Sequence, residues 1–181
     1  MAQIAPKAED VAPLLIGEQM PDATLLNSKG EEVKLNALLS QKKSVLIFYR
    51  GGWCPYCNVH LADIAKIEKD ILKLGYQIIA ISPDDYPNLQ NTSEKAKLKY
   101  QLFSDKQGLL LQAVGIAFQA PDKTKEFIAS KTQGKATDIL PVPTLMVVDT
   151  KGTIIFEYIS PDYKKRIQGQ LLLCVLKNIN L

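Results

Sequence analysis

Two strand patterns on either side of one helical pattern constrain the fold of this chain more than any other feature. The run from Ser44 to Tyr49 is continuously apolar and rich in β-forming residues, which is typical of a strand buried on both faces. A similar run covers residues 76 to 82, and apolar residues recur at helical spacing from Leu61 to Leu72. Strand, helix and strand in this order predict a βαβ unit with parallel strands and a right-handed crossover.

The flanking segments predict an antiparallel hairpin on each side of this unit. Residues 23 to 35 indicate two short strands joined by a turn at 27 to 30, and residues 144 to 158 indicate a hairpin that turns at Lys151-Gly152. The remaining predictions are a short strand at 101 to 104, helices over 86 to 99, 107 to 114, 122 to 131 and 162 to 179, and a loop over 132 to 140. A central mixed sheet with helices on both faces follows, which is an α/β sandwich.

The chain length of 181 residues suits one domain with its own core. Residues 1 to 13 mix Ala, Pro, Lys and Glu without periodicity, so we expect an extended or poorly ordered N-terminal arm. Residues 14 to 181 then form the folded domain.

Charge and hydropathy exclude several classes of partner. The formal net charge is only +3, which is too small to predict a nucleic-acid partner or a membrane surface. The N-terminus lacks a basic segment followed by an apolar one, so we expect no signal peptide. The longest apolar runs, such as Leu171 to Leu176, are too short to span a membrane. We therefore expect a soluble, cytoplasmic protein.

Three cysteines are too few for a disulfide framework, and two of them lie in one Cys-x-x-Cys. Cys54 falls at the expected N-cap of the helix after the first buried strand, and Cys57 falls in its first turn. Unpaired N–H groups and the helix dipole at that end stabilise a thiolate, which is the nucleophile in disulfide exchange and in attack on a peroxide. Local physics thus favours Cys54 as the nucleophile, with Cys57 close enough to form a disulfide with it.

Two structural alternatives to a redox pair remain open. Half of a zinc site would need further ligands, for which Cys174, His60 and carboxylates are available. A buried structural pair is the second alternative, because free cysteine packs well in cores. Haem attachment is excluded, since Asn58 and not histidine follows Cys57. We expect no metal and no organic cofactor.

Other residues near the motif have structural and functional interpretations. Arg50 is either a thiolate partner or a surface charge, and Gly51-Gly52 indicates a tight backbone approach. Trp53 can flank the sulfurs with apolar surface. We expect His60 to be packed or on the surface, and Asp84 to serve first in a turn or helix cap.

Cys174 lies within the apolar run Leu-Leu-Leu-Cys-Val-Leu of the last helix. Helical spacing places it, or Val175, on one face with Ile167, Leu171 and Ile179. We expect it to fill the core, with a role as a resolving thiol as the alternative.

These residues resemble the thioredoxin-fold superfamily. Residues 53 to 57, Trp-Cys-Pro-Tyr-Cys, are similar to the thioredoxin Trp-Cys-x-x-Cys, and their Cys-Pro-Tyr-Cys core matches the glutaredoxin motif. Val142-Pro143-Thr144 resembles the cis-proline loop of the superfamily. The resemblance implies a thioredoxin-like fold with an N-terminal hairpin extension, and it implies that Pro143 and Thr144 contact the substrate together with Arg50 and Trp53.

The wider layout resembles the peroxiredoxin-like family of alkyl hydroperoxide reductase and thiol-specific antioxidant, AhpC/TSA, over residues 14 to 179. The segment from Leu140 to Arg166 is similar to a branch of that family that also carries Tyr-Arg-Gly-Gly-Trp-Cys-Pro-Tyr-Cys. Four short segments follow the family pattern in order: Phe48-Tyr49, residues 80 to 84, residues 102 to 105, and residues 147 to 152.

The chain also departs from the family pattern. Aligned as a peroxiredoxin, Cys57 attacks the peroxide and Cys54 resolves, but Cys54 then occupies the family's Thr or Ser position and Arg50 its Pro position. Aligned as a thioredoxin, Cys54 attacks and Cys57 resolves. The family arginine before the late strand falls near Pro143, so the sequence predicts that this thiolate partner is missing.

The resemblance implies a thiol-dependent antioxidant oxidoreductase that reduces hydrogen peroxide or organic hydroperoxides through a Cys54–Cys57 disulfide. A thioredoxin-like or low-molecular-weight thiol would recycle it, and a homodimer is one candidate assembly. The first alternative is a protein disulfide reductase of the thioredoxin or glutaredoxin kind. The second is a redox-sensing or purely structural domain without turnover.

Overall fold

The computed structural model describes residues 4–132 and 137–179. A short 3-10 helix, Ala8–Asp10, precedes the regular elements. The strands are β1 (Thr24–Leu26), β2 (Glu32–Lys34), β3 (Lys43–Phe48), β4 (Tyr76–Ser82), β5 (Gln101–Ser104), β6 (Ala117–Gln119), β7 (Ile139–Pro141), β8 (Thr144–Val148) and β9 (Ile154–Ile159). The helices are α1 (Leu35–Leu39), α2 (Pro55–Lys73), α3 (Tyr86–Ala96), α4 (Leu109–Ala113), α5 (Asp122–Thr132) and α6 (Gly169–Asn178).

Seven strands form one mixed sheet in the order β2-β1-β5-β4-β3-β8-β9. β3 pairs in parallel with β4 and antiparallel with β8, and β4 pairs in parallel with β5. The hairpin of β1 and β2 joins the sheet antiparallel to β5, and β9 closes the other edge beside β8. This arrangement confirms the predicted α/β class with its parallel unit and its two hairpins.

The sheet has a hydrophobic core on each face, and the side chains of the interior strand β3 alternate between the two cores. Leu46 and Phe48 of β3 pack into one core with residues of α1, α4 and α5. Val45, Ile47 and Tyr49 pack into the other with residues of α2, α3 and α6. Both faces of β3 are therefore buried, which explains its continuously apolar sequence.

The described part of the N-terminal arm contacts the domain. The amide of Ala5 donates to the carbonyl of Ala117 (N···O 3.0 Å), and the carbonyl of Ala5 accepts from the amide of Gln119 (2.9 Å). Ala5 is buried in the core that contains α1. Residues 4–10 thus lie beside β6, close to the start of α5.

Two element predictions need correction. The loop expected over 132 to 140 contains β7, which pairs antiparallel with β6; residues 133–136 of that loop lie outside the described part of the chain. The helix expected from 162 begins only at Gly169. Asp63 accepts a hydrogen bond from the Gly169 amide (2.9 Å) and so helps to fix the start of the helix there. No helix among the described residues is long and apolar enough to cross a membrane.

Candidate active site

The Cys-x-x-Cys lies at the carboxyl end of β3, where open α/β sheets place their ligands. Cys54 is the N-cap residue of α2, Pro55 opens the helix, and Cys57 lies in its first turn, as the sequence predicts. The preceding loop is held by Asp84, whose Oδ2 accepts from the amide of Gly52 at 2.9 Å. Asp84 thus stabilises the loop before the cysteine pair, while the neighbouring Asp85 caps α3.

The two site glycines allow this loop to pack tightly. Gly51 has a φ of +143°, and a side chain on it would overlap the indole of Trp53. A side chain on Gly52 would overlap the hydroxyl of Thr92. The close approach expected from Gly51-Gly52 is therefore confirmed.

The two sulfurs are in direct contact inside the protein. Their Sγ atoms lie 2.7 Å apart, both thiols are free, and the residues are only 2% and 1% exposed. Such a pair shares a proton, since one thiol can donate to the other sulfur once that sulfur is ionised.

The surroundings favour the thiolate on Cys57. Burial alone would raise the pKa of the Cys57 thiol, but three groups lower it to about 6: the hydrogen bond with Cys54, the charge of Arg166 and the backbone N–H of Arg50. The pKa of Cys54 is raised, first by its hydrogen bond to Cys57 and then by burial. Within the pair these contacts favour the charge on Cys57, whereas the helix terminus led the sequence to favour the capping residue Cys54.

Arg166 comes from the segment between β9 and α6, and sequence reasoning missed it. Its Nη2 lies 3.5 Å from the sulfur of Cys57, and its Nη1 donates to the carbonyl of Lys165 at 2.8 Å. The sequence predicted that the arginine partner of the thiolate is missing. The family arginine just before β8 is absent, since the segment there is Leu140-Pro141-Val142-Pro143, but an arginine from a different segment lies beside Cys57.

His60 is buried one turn after Cys57 and is packed, as expected. Burial, followed by the charge of Arg166, lowers the pKa of this imidazole to about 4. At neutral pH the ring is therefore uncharged, and Arg166 is the cation that acts on Cys57.

A cavity of about 820 Å³ opens beside the pair and is lined by Cys54 but not by Cys57. Its walls also include Arg50 and Trp53, both singled out in the sequence. The guanidinium carbon of Arg50 lies 5.0 Å from the centre of the Trp53 ring and 5.1 Å from that of Tyr163. The cavity volume falls in the range of small-molecule sites.

Comparisons with known proteins identify the family. The family model described as AhpC/TSA matches residues 16–157, which is most of the chain. The chain belongs to the AhpC/TSA family.

Curated relatives agree with this assignment. The "Putative peroxiredoxin bcp" of Haemophilus influenzae is 30% identical over 104 residues, which cover 58% of this chain and 66% of that protein. The protein of the same name from Helicobacter pylori is 33% identical over 51% of this chain and 60% of its own length. The chain thus spans slightly less than two thirds of these relatives. The "Thiol-disulfide oxidoreductase ResA" of Bacillus thuringiensis is 20% identical over 90% of this chain and 80% of that protein.

Solved structures of the family share the fold. The peroxidoxin BcpB of Mycobacterium tuberculosis aligns with a TM-score of 0.72 at 21% identity, over 92% of this chain and 98% of that one. Reduced Prx3 of Vibrio vulnificus aligns with a TM-score of 0.78 at 16% identity, over 91% and 99%. The thioredoxin-like fold inferred from the sequence motifs is confirmed.

Pro143 and Thr144 do not line the cavity of this AhpC/TSA protein. Every described peptide bond is trans, so the cis-proline loop implied by the resemblance is absent from the described chain. The amide of Val142 donates to the carbonyl of Ile116 (3.0 Å), and the hydroxyl of Thr144 donates to the carbonyl of Val142 (3.0 Å). The first bond ties the loop to the segment before β6, and the second lies within the loop.

Cys174 is exposed, not buried as expected. α6 packs on the core through Leu172, Leu173 and Leu176, and Leu171 on its other side is 54% exposed. The run 171–176 is apolar all round, so its pattern does not mark which face is buried. Among residues 4–132 and 137–179, no group of three or more His, Cys, Asp or Glu residues is arranged to hold a metal ion.

Proposed function

We propose that this protein reduces peroxides through a dithiol–disulfide cycle of Cys54 and Cys57. The observation that carries the proposal is a free cysteine pair in which, against the effect of burial, the hydrogen bond with Cys54, the charge of Arg166 and the N–H of Arg50 lower the pKa of Cys57 to about 6. A thiol with that pKa is largely ionised at neutral pH and therefore nucleophilic. Membership of the AhpC/TSA family supports the same chemistry.

The cycle has two chemical steps. The Cys57 thiolate attacks the distal peroxide oxygen; the O–O bond breaks, sulfur is oxidised to sulfenic acid, and the leaving alkoxide or hydroxide takes a proton from water. Cys54 then attacks the sulfenic sulfur, the S–O bond breaks, and water leaves as the disulfide forms. The contact of the two sulfurs at 2.7 Å supports this second step.

An external dithiol, or two monothiols, must return two electrons and two protons to the disulfide. We infer a thioredoxin-like or low-molecular-weight thiol reductant, and a reducing compartment such as the cytoplasm, where a reactive pair is kept reduced.

The test compares the wild type with Cys54→Ser, Cys57→Ser and the control Cys174→Ser. We expect Cys57→Ser to lose peroxide reduction, since serine is not ionised at neutral pH. Cys54→Ser should react once with hydrogen peroxide and give a sulfenic acid that dimedone traps. Cys174→Ser should retain the wild-type rate because that thiol is exposed and away from the pair. Peroxide consumption by the wild type no faster than that of free cysteine would refute the proposal.

Disulfide exchange is the second candidate function. It is favoured by Cys54, which faces a cavity large enough for a peptide side chain, and by the similarity to ResA over most of the chain. Reduction of insulin by the four proteins tests it. This function requires that the wild type and Cys174→Ser reduce insulin while both site variants fail.

A further inference from the structure

The cavity beside Cys54 contains a buried cation without a carboxylate partner among the described residues. Arg50 is only 9% exposed, and its Nε is fully buried without a hydrogen-bond partner in the described structure. No carboxylate of the described residues forms an ion pair with it. A buried charge is costly unless it is paired, so this guanidinium is ready to receive an anion.

Aromatic rings hold the guanidinium in place. It lies between Trp53 and Tyr163, with centroid distances of 5.0 and 5.1 Å, and Trp53 is packed edge to face on Phe127 at 6.1 Å. Stacking on the rings partly compensates the charge of Arg50 but leaves the coplanar N–H groups of its guanidinium without hydrogen-bond acceptors in the described part of the chain. A carboxylate matches the planar fork of these groups with two parallel hydrogen bonds.

The cavity as a whole favours an anionic ligand with an apolar body. Arg50, Lys7, Lys123 and Lys125 outnumber the two acidic lining residues, Glu9 and Asp122, and Lys125 is already paired with Asp122 at 3.1 Å. Trp53, Phe118 and Phe127 supply apolar wall. The N-terminus of α2 also lies at the cavity, and the positive end of the helix dipole there attracts negative charge.

We propose that this cavity selects small organic ligands that carry a carboxylate, and that Arg50 binds the carboxylate. The proposal rests on the proposed function: in that setting the ligands are organic hydroperoxides with a carboxylate at one end and the peroxide directed to the cysteine pair. The redox step is the one given above and needs no additional reactant.

A matched pair of unreactive ligands tests the binding. The probes are 4-isopropylbenzoate and its neutral amide, 4-isopropylbenzamide, titrated into the reduced protein by calorimetry. Trp53 is the only tryptophan of the chain, so its fluorescence reports binding at this cavity. We expect the carboxylate to bind at least about tenfold more tightly than the amide, as a charged hydrogen bond in a buried site implies. Equal affinities would overturn the proposal.

Three variants assign the effect to Arg50. Arg50→Gln should abolish the preference, and Arg50→Lys should retain part of it. The control Lys164→Gln should keep it all, because the Lys164 ammonium lies 5.6 Å from the Tyr163 ring centre but does not line this cavity. If Arg50→Gln keeps the preference, the role of Arg50 is refuted. If Arg50→Gln fails to fold, the Arg50→Lys variant and the wild-type ligand pair still test the role of Arg50. A preference for the carboxylate that is as large in Arg50→Lys as in the wild type contradicts the proposal.

Measurements of peroxide reduction distinguish the proposed carboxylate selectivity from the proposed peroxidase function. Cumene hydroperoxide and its para-carboxylate form the matched substrates, with hydrogen peroxide as reference. We expect a kcat/KM about tenfold higher for the carboxylate than for cumene hydroperoxide in the wild type, and a ratio near one in Arg50→Gln, whatever the rate of that variant with hydrogen peroxide. Equal rates for both organic substrates leave peroxidase function intact and refute the selectivity. Absence of all peroxide turnover together with Arg50-dependent benzoate binding refutes the proposed function and supports the anion site.

Discussion

At the scale of single residues, the chemistry of this protein depends on which sulfur carries the charge. Cys54 occupies the helix cap, yet the pKa of Cys57 is the one lowered, to about 6. After the hydrogen bond with Cys54, the next cause lies outside the motif: Arg166 contributes its charge from a segment 109 residues later in the chain. A helix terminus contributes only a partial charge, whereas a guanidinium contributes a full one.

This contact gives a testable pH dependence. The thiolate is the reactive form, so the rate of peroxide reaction or alkylation at Cys57 should rise through a midpoint near pH 6 in the wild type. In Arg166→Gln the midpoint should move to about pH 7 or above, because the thiolate loses its nearby positive charge. Stopped-flow or iodoacetamide kinetics across pH measure this midpoint.

Lys165→Gln is the control for that experiment, since Lys165 is the exposed neighbour of Arg166. Its midpoint should equal that of the wild type. An unchanged midpoint in Arg166→Gln would show that the arginine does not stabilise the thiolate.

At the scale of elements, the segment before β1 is fixed by backbone contacts to the turn after α4. The amide of Leu14 donates to the carbonyl of Val114 at 3.0 Å. Gly115 follows with a φ of +76°, and a side chain on it would overlap the carbonyl oxygen of Ala12. The turn and the N-terminal segment therefore depend on the absence of a side chain at this residue.

Two glycine substitutions distinguish the backbone strain of a positive φ from steric overlap of a new side chain with its neighbours. Gly75, after α2, has a φ of +84° and open space around it, so Gly75→Ala should reduce the free energy of unfolding by about 1–2 kcal/mol. Gly115→Ala should cost about 1–3 kcal/mol more, because the backbone of Ala12 has to move. Urea denaturation measures both values, and equal losses would contradict the close approach.

At the scale of the whole molecule, one sheet joins two cores. Consecutive residues of β3 serve opposite faces: Leu46 packs with α1 and α4, and Ile47 packs with α2 and α6. Because β3 contributes residues to both cores, neither core can unfold without disrupting β3. We therefore expect the two halves to unfold together.

Leu46→Ala and Ile47→Ala test this coupling. Both side chains are fully buried, so each substitution should lower the free energy of unfolding by about 2–5 kcal/mol. Each variant should retain a single transition followed by near-UV and far-UV circular dichroism. The control Leu171→Ala, on the exposed side of α6, should change stability by less than about 0.5 kcal/mol. Separate transitions in either core variant would show that the cores are independent.

The sequence by itself determined the order and type of most elements and the position of the cysteine pair. These features are local: a continuous apolar run marks β3, helical spacing marks α2, and the residues between them place Cys54 at the cap. The resemblance of the motif to thioredoxins gave the fold, and the resemblance of the wider layout over residues 14 to 179 gave the family. The cis peptide that the resemblance implied at Pro143 is not found among the described bonds, and the contact of this loop with the segment before β6 leaves no trace in its own sequence.

Only the tertiary structure decided the properties that depend on distant segments meeting. It brought Arg166 to Cys57, turned Cys174 outward, and enclosed Arg50 between Trp53 and Tyr163 beside the cavity. Each of these depends on the path of the chain between β9 and α6 or on how α6 packs. A charge acts through distance and burial in space, and neither quantity is encoded in the spacing of residues along the chain.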